Sequence, residues 1–237
     1  MFQTAAIVLA AGQGKRMQSA VAKQFLLLNG EPVVCHSLRA FEKSDVETVI
    51  LVTGADEIQY CKEEIVEKYG FKKVSAIVAG GKERYHSVYE GLSALSGVLE
   101  PDGIVLIHDG ARPMITQEII VRTMDAAKEY GACVAAMPVK DTIKVADTDG
   151  FAAETLDRST LWQIQTPQTF TYELVYRGYK KLLSDEAYQK GVTDDAMVVE
   201  SMCGGQVKLV EGSYENIKVT TPEDMIVAES FLKRRIV

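Results

Sequence analysis

Cysteine is scarce in this chain and unpaired. Cys35, Cys61, Cys133 and Cys203 are the four in 237 residues. They form no Cys-x-x-Cys pair and have no histidine spaced to complete a zinc set, so reduced thiols are expected rather than a disulfide framework or a structural metal site. Long apolar runs are missing too. Nothing approaches the roughly eighteen residues of a membrane span, and the opening residues lack the charged-then-apolar pattern of a secretion signal, so a soluble, cytoplasmic protein is expected. Positive charge is in deficit, 26 Lys+Arg against 33 Asp+Glu for a net −7. That balance disfavours a nucleic-acid backbone or an anionic membrane as partner, and any anion site must be local. The three histidines, His36, His86 and His108, are read as structural.

Two familiar phosphate loops are also absent. Gly12-x-Gly14 lacks the third glycine of a dinucleotide fingerprint, because Met17 stands there, and no Gly-Lys-Ser/Thr closes a P-loop. What stands in their place is an apolar run, Ala5–Ala10, emptying into Ala11-Gly12-Gln13-Gly14-Lys15-Arg16-Met17, with Lys23 a few residues on. Small residues let backbone N–H groups approach an anion, and the cations supply charge to hold it. A phosphate-rich ligand suits such a loop. On spacing alone, a tight turn with solvated basic residues remains the alternative.

The length suits one sizeable α/β domain. Apolar runs at Ala5–Ala10, Thr48–Val52, Val74–Val78, Ile104–Ile107 and Ala132–Met137 alternate with stretches of helical spacing at Pro32–Glu42, Ala55–Lys68, Glu83–Leu95 and Gln117–Glu129. This alternation predicts a mostly parallel sheet covered on both faces, with ligands at the carboxyl ends of the strands. Three loops there carry glycine and charge: the opening loop, Gly80-Gly81-Lys82-Glu83-Arg84, and His108-Asp109-Gly110-Ala111-Arg112-Pro113. Together they point to one site.

The pattern breaks after Met137. Pro138–Asp147 and Phe151–Arg158, joined at Thr148-Asp149-Gly150, read as a hairpin that projects from the sheet. Ile143, Val145, Phe151 and Leu156 would then be exposed unless another subunit covers them, which predicts a homodimer. Further on, Leu161–Thr166 reads as a strand entering Pro167-Gln168, Tyr172–Leu183 as a helix, and Thr193 or an Asp after it as the cap of a helix over Ala196–Met202. Gln206–Val210 and Asn216–Val219 read as short strands, and Thr221–Arg234 as a helix with Pro222 in its first turn.

With these pieces in order the chain resembles the 2-C-methyl-D-erythritol 4-phosphate cytidylyltransferases nearly end to end. The resemblance is carried by Ala10-Ala11-Gly12-x-Gly14-x-Arg16-Met17, Lys23-Gln24, Gly80-Gly81-x-x-Arg84-x-x-Ser87-Val88, His108-Asp109-x-Ala111-Arg112-Pro113, Pro138–Lys144, Gln165-Thr166-Pro167-Gln168-x-Phe170, Thr193-Asp194-Asp195 and Asn216-Ile217-Lys218. It implies a modified Rossmann-type nucleotidyltransferase domain spanning residues 1–237, with a dimerisation β-arm at about 139–158. It also implies transfer of CMP from CTP to methylerythritol phosphate, releasing pyrophosphate.

That chemistry asks for cations and a metal rather than a general base, since the attacking phosphate oxygen is already an anion. The resemblance places Ala10, Ala11 and Gly12 at the triphosphate, Arg16 at its β/γ end, and Lys23 and Lys218 at the α-phosphate. Gly80, Gly81 and Ser87 form a small-residue pocket for cytosine. Asp109 is the expected contact for Mg²⁺, with a helix cap or a ribose contact as its alternatives. The second substrate is expected to meet Asp109, Gly110 and Arg112 of one subunit and Thr142 and Arg158 of its partner's arm, with Thr166 and Thr193 as further candidates. Gly110 stands where the family usually has Ala, which predicts a looser loop. Lys82 stands where some members are acidic and receives no role. A ribitol 5-phosphate cytidylyltransferase and a non-catalytic CTP- or CDP-alcohol-binding module are the alternative functions.

Overall fold

The computed structural model describes residues 3–12, 17 and 21–236. In chain order the elements are β1 (Thr4–Leu9), β2 (Leu27–Leu28), β3 (Glu31–Pro32), α1 (Val33–Glu42), β4 (Thr48–Thr53), α2 (Ile58–Tyr60), β5 (Val74–Ala79), α3 (Arg84–Ala94) and β6 (Ile104–Asp109). They continue with α4 (Gln117–Tyr130), β7 (Ala132–Pro138), β8 (Lys144–Ala146), β9 (Ala152–Thr155), β10 (Trp162–Thr171), α5 (Tyr172–Leu182), α6 (Asp195–Cys203), β11 (Lys208–Glu211) and α7 (Pro222–Ile236). Seven strands form one sheet in the order β11-β7-β10-β6-β1-β4-β5. Every neighbouring pair is parallel except those of β10, which runs antiparallel to both β6 and β7.

The doubly apolar runs have a direct cause. Side chains alternate across a strand, so Ala6, Val8, Val49, Leu51, Ile104 and Leu106 join one core with α1 and α4. Their neighbours Ala5, Ile7, Ile50, Val52, Val105 and Ile107 join the other, with α3, α5 and α6. Each fully buried Val, Leu or Ile contributes about 1.5–3 kcal/mol, so register is fixed from both faces. The carboxyl ends of β1, β5 and β6 are thereby held at one edge.

Three readings are refined and one element is added. The helical stretch after β4 begins with a 3₁₀ turn at Ala55–Glu57, passes through α2, and becomes a π-helix over Cys61–Glu67. A small hairpin, β2–β3, turns on Asn29 and Gly30, both at positive φ (53° and 86°), the Asn-Gly signature of a primed turn. β10 does not stop at Thr166 but continues to Thr171; proline, which has no N–H to give the ladder, falls where its register shifts between Ile164 and Gln168. Asn216–Val219 is not a strand. Asn216 turns its amide onto Gln165 and Thr166, and Arg112 takes its carbonyl, so side-chain bonds direct this segment in place of a ladder.

The hairpin after β7 stands apart as its own two-stranded sheet, β8 with β9. Ile143, Val145 and Phe151 are exposed along it, Phe151 by 72%, and Leu156 is half-buried. Its base is tied to the body by the Lys140 ammonium over the Tyr214 ring, 3.3 Å from the centroid, and by the Tyr214 hydroxyl on the Pro138 carbonyl.

Candidate active site

β1 and β6 run side by side with Leu9 opposite Asp109, so the opening loop and the Asp109 loop leave the sheet together. Ala10 still belongs to the sheet. Its N–H donates to Val52 and its carbonyl accepts from Gln24, which leaves Ala11 and Gly12 as the described amides of the loop. Ala11 sits against the second loop: a Cβ on Gly80 would lie 2.6 Å from both the Ala11 methyl and Ser87 Oγ. Glycine is therefore the residue that lets the two loops close on each other. Ser87 Oγ accepts from the Gly81 N–H. Arg16 lies outside the described residues.

Gly110 is buried beneath β1, with its N–H donating to the Leu9 carbonyl at 2.8 Å. An added Cβ would meet that same carbonyl at 2.9 Å and Val34 at 3.1 Å. Glycine here lets the loop approach β1 closely. The cap of the following helix is Thr116, so Asp109 is not a helix cap.

Asp109 is the electrostatic centre. Lys218 Nζ reaches its Oδ2 at 2.7 Å, Arg112 Nε stands 3.6 Å from the same oxygen, and Arg84 Nε lies 3.4 Å from Oδ1. Burial alone would raise the pKa of this carboxyl, but Arg84, Lys218 and Arg112 outweigh it and hold it far below the usual carboxylate range. Lys23, on a 3₁₀ turn at Lys23–Phe25, donates to the Val219 carbonyl at 2.9 Å, 196 positions away. Lys23 is thereby held against the segment that carries Lys218.

His108 organises the back of the site. It is fully buried, which depresses its pKa to about 4, so the ring is neutral near pH 7. Nε2 lies 3.2 Å from the Arg112 carbonyl, which only accepts, so Nε2 carries the proton. Nδ1 then accepts from the Thr166 hydroxyl at 3.0 Å, and that oxygen in turn accepts the Asp109 N–H at 3.1 Å. The Thr166 proton is committed, and what remains for a ligand is a lone pair.

This geometry sets a pH dependence. Native His108 stays neutral down to about pH 4 while the unfolded residue takes up a proton near 6.5, so the unfolded state binds more protons between those values and stability falls as pH falls. A loss of about 2–3 kcal/mol is expected between pH 7 and 4.5 from this group. Asp109, held low, adds its own loss only as pH falls below the ordinary carboxylate range. Urea unfolding at the two pH values checks this: the slope should flatten in His108→Asn, and an unchanged slope contradicts it.

A cleft of about 300 Å³ opens on these groups, lined by Arg84, Asp109, Arg112, Thr166, Thr193 and Lys218 among others. A second hollow of about 400 Å³ shares Arg112 and Lys218. Arg112 donates through Nη1 to the Asn216 carbonyl, while its buried Nε has no hydrogen-bond acceptor in reach. Thr142 and Arg158 do not line the cleft. Both are exposed on the arm, and Arg158 Nη1 donates to the Lys140 carbonyl at 2.7 Å. Arg84 and Asp195 were missed as site residues in the sequence, although both fall in motifs already noticed. Arg84 follows the strand-end glycines, and a cation there is a signal to consider.

Of the two carboxylates lining the cleft, Asp194 accepts from the Met197 N–H and from Gln168, while Asp109 stands beside Lys218, and no group of three or more metal-ligating side chains occurs among the described residues. A single carboxylate oxygen, with the remaining ligands from phosphate and water, is the donor set that suits Mg²⁺. Oδ1 is approached by Arg84 Nε at 3.4 Å and Oδ2 more closely by Lys218 Nζ at 2.7 Å.

A family model described as 2-C-methyl-D-erythritol 4-phosphate cytidylyltransferase matches residues 4–234. A curated protein of that name from Lachnospira eligens is 52% identical over 229 residues, covering 96% of this chain and 98% of its own. Another of that name, from Alkaliphilus oremlandii, is 50% identical over 234 residues, 98% of this chain and 96% of its own. Among solved structures, the 4-diphosphocytidyl-2C-methyl-D-erythritol synthase of Anaerococcus prevotii is similar with a TM-score of 0.82 and 35% identity, covering 98% of this chain and 96% of that one.

Proposed function

The chain belongs to the 2-C-methyl-D-erythritol 4-phosphate cytidylyltransferase family, and from that premise we propose that this site carries out the family's reaction in isoprenoid biosynthesis with the following division of labour. A phosphate oxygen of methylerythritol phosphate attacks the α-phosphorus of CTP, the bond to the β-phosphate oxygen breaks, and pyrophosphate leaves. The product is 4-diphosphocytidyl-2-C-methyl-D-erythritol. No proton has to be removed, so the protein's task is to hold two polyanions together and to stabilise charge building at phosphorus.

The observation that carries this reading is that Lys218 lies on Asp109 at 2.7 Å while Lys23 is bonded to the carbonyl of the next residue, Val219. Lys218 leaves the Asp109 carboxylate for the α-phosphate, and Lys23 joins it there. The Ala11 and Gly12 amides and Arg16 receive the triphosphate, and the Gly80, Gly81 and Ser87 pocket takes cytosine. Mg²⁺, held through Asp109 Oδ1 and phosphate oxygens, would neutralise charge on the triphosphate. Arg112, a guanidinium on the cleft wall, and Thr166, with an accepting lone pair, suit the phosphate and hydroxyl groups of the polyol. Thr193 on the far wall completes that face.

The exposed arm supports a homodimer in which Thr142 and Arg158 reach the partner's cleft, because Phe151 and its apolar neighbours otherwise face water. Both substrates are water-soluble polyanions, and no helix among the described residues is long and apolar enough to cross a membrane; together these favour a cytoplasmic enzyme. Pyrophosphate release from CTP and Mg²⁺, measured side by side with methylerythritol phosphate and ribitol 5-phosphate, tests the reading. The methylerythritol substrate is expected to give the higher kcat/KM. Preference for ribitol phosphate overturns the substrate, and absence of release with either overturns catalysis in favour of a binding module.

A further inference from the structure

We infer that Arg84 is a positioning residue for the reaction: gripped by Asp195, it fixes the orientation of the Asp109 carboxylate that the substrates meet. The inference rests on the cytidylyl-transfer reading above and extends it to groups behind the cleft.

Arg84 opens α3 directly after the Gly80-Gly81 loop. Its Nη1 and Nη2 lie 2.7 Å from Oδ1 and Oδ2 of Asp195, a two-point grip that leaves Nε aimed at Asp109 Oδ1, 3.4 Å away. Asp195 is completely buried in the first turn of α6. It accepts the Tyr179 hydroxyl from α5, and its own N–H, like that of Ala196, donates to Gln168 Oε1 from β10. Four elements, α3, α5, α6 and β10, therefore meet at Asp195.

Charge and rigidity define what this arrangement can do. Asp195 neutralises most of the guanidinium, so Arg84 is a poor phosphate binder beside the lysines. It is also far less free to move. The Lys218 contact to Asp109 is made by one ammonium on a flexible stem whose side chain is 36% exposed, whereas the planar Arg84 fork is fixed at both ends. Asp109 thus has one removable cation, Lys218, beside Arg112 and an Arg84 that Asp195 holds in place. When Lys218 turns to the α-phosphate, Arg84 still holds the carboxylate at its place and angle. A buried ion pair adds little net stability compared with an apolar filling, so its use here is orientation.

A double-mutant cycle on kcat/KM separates this role from its rivals. Arg84→Gln is to be made in the native protein and in Asp109→Asn, and assayed by single-turnover CMP transfer with enzyme in excess so that slow variants stay measurable. A loss of at least tenfold is expected in the native background and less than twofold in Asp109→Asn, where the carboxylate being positioned is gone. Equal losses in both backgrounds overturn the inference, since direct substrate contact or general structural support would act in either. Should Arg84→Gln not fold, Tyr179→Phe removes only a hydroxyl from the clamp. It is expected to cost a few-fold natively and nothing measurable in Asp109→Asn, and again equal losses overturn it. Absence of turnover by the unaltered protein would instead sink the functional reading.

Discussion

Replacing Lys218 with Ala is expected to lower kcat by about 10²–10³ while leaving the fold intact, and Lys23→Ala to do much the same. Removing one preorganised electrostatic donor from a reacting centre costs about 2.7–4 kcal/mol of transition-state stabilisation. The fold should tolerate the loss for two reasons. The Lys218 side chain is partly exposed, and Asp109 keeps Arg84 and Arg112 as counter-charges when the ammonium is gone. The deficit should lie in kcat more than in KM, because the cation gains most where charge is greatest, at the five-coordinate phosphorus. Pyrophosphate release together with thermal unfolding separates the two effects. A Lys218→Ala protein that folds normally and turns over within threefold of the unaltered one would remove Lys218 from the mechanism.

The second large effect concerns the arm. Arg158→Ala and Lys23→Ala are each expected to be nearly inactive alone, yet a refolded equimolar mixture should recover about a quarter of native activity. In a two-fold symmetric dimer each cleft would use the Lys23 of one subunit and the Arg158 of its partner. A mixed dimer then has one cleft with both residues and one with neither. Mixed dimers make up half of a random mixture and each is half active. The structure supports this by what it keeps apart: Arg158 is exposed on a projecting hairpin and bonds to Lys140 rather than lining the cleft beside Lys218. The guanidinium fork suits a phosphate arriving from the partner's side, where losing it removes a two-point contact. No recovery in a mixture shown by affinity tags to contain mixed dimers would place both residues in one subunit's site. Full activity in Arg158→Ala alone would remove the arm from catalysis.

Much of the site is legible in the sequence because its pieces sit at strand ends. A strand apolar on both faces has to be central in its sheet, and the small or charged residues that follow it have to surface at the sheet edge. Ala11, Gly80 and Asp109 are found this way, and in the structure the Ala11 methyl and the Ser87 hydroxyl crowd against Gly80. The hairpin is legible too, since polar alternation around an Asp-Gly turn cannot join a doubly covered sheet. Asn216–Val219 misled for the opposite reason. Its alternating pattern is that of a strand, but its conformation is set by side-chain bonds to Gln165, Thr166 and Arg112, which local periodicity does not encode.

What the sequence determined by itself is therefore the layered α/β sheet and the strand-end edge where small and charged residues gather, because periodicity and residue size are local properties. Only the tertiary structure decided the partnerships across the site. Lys23 meets the segment of Lys218 from 196 positions away, His108 commits the proton of Thr166, the Gly110 N–H is bonded to β1, and the buried charge of Asp195 grips Arg84 beside Asp109. Each depends on distance and desolvation between groups remote in the chain, and those are set only when the helices close over both faces of the sheet.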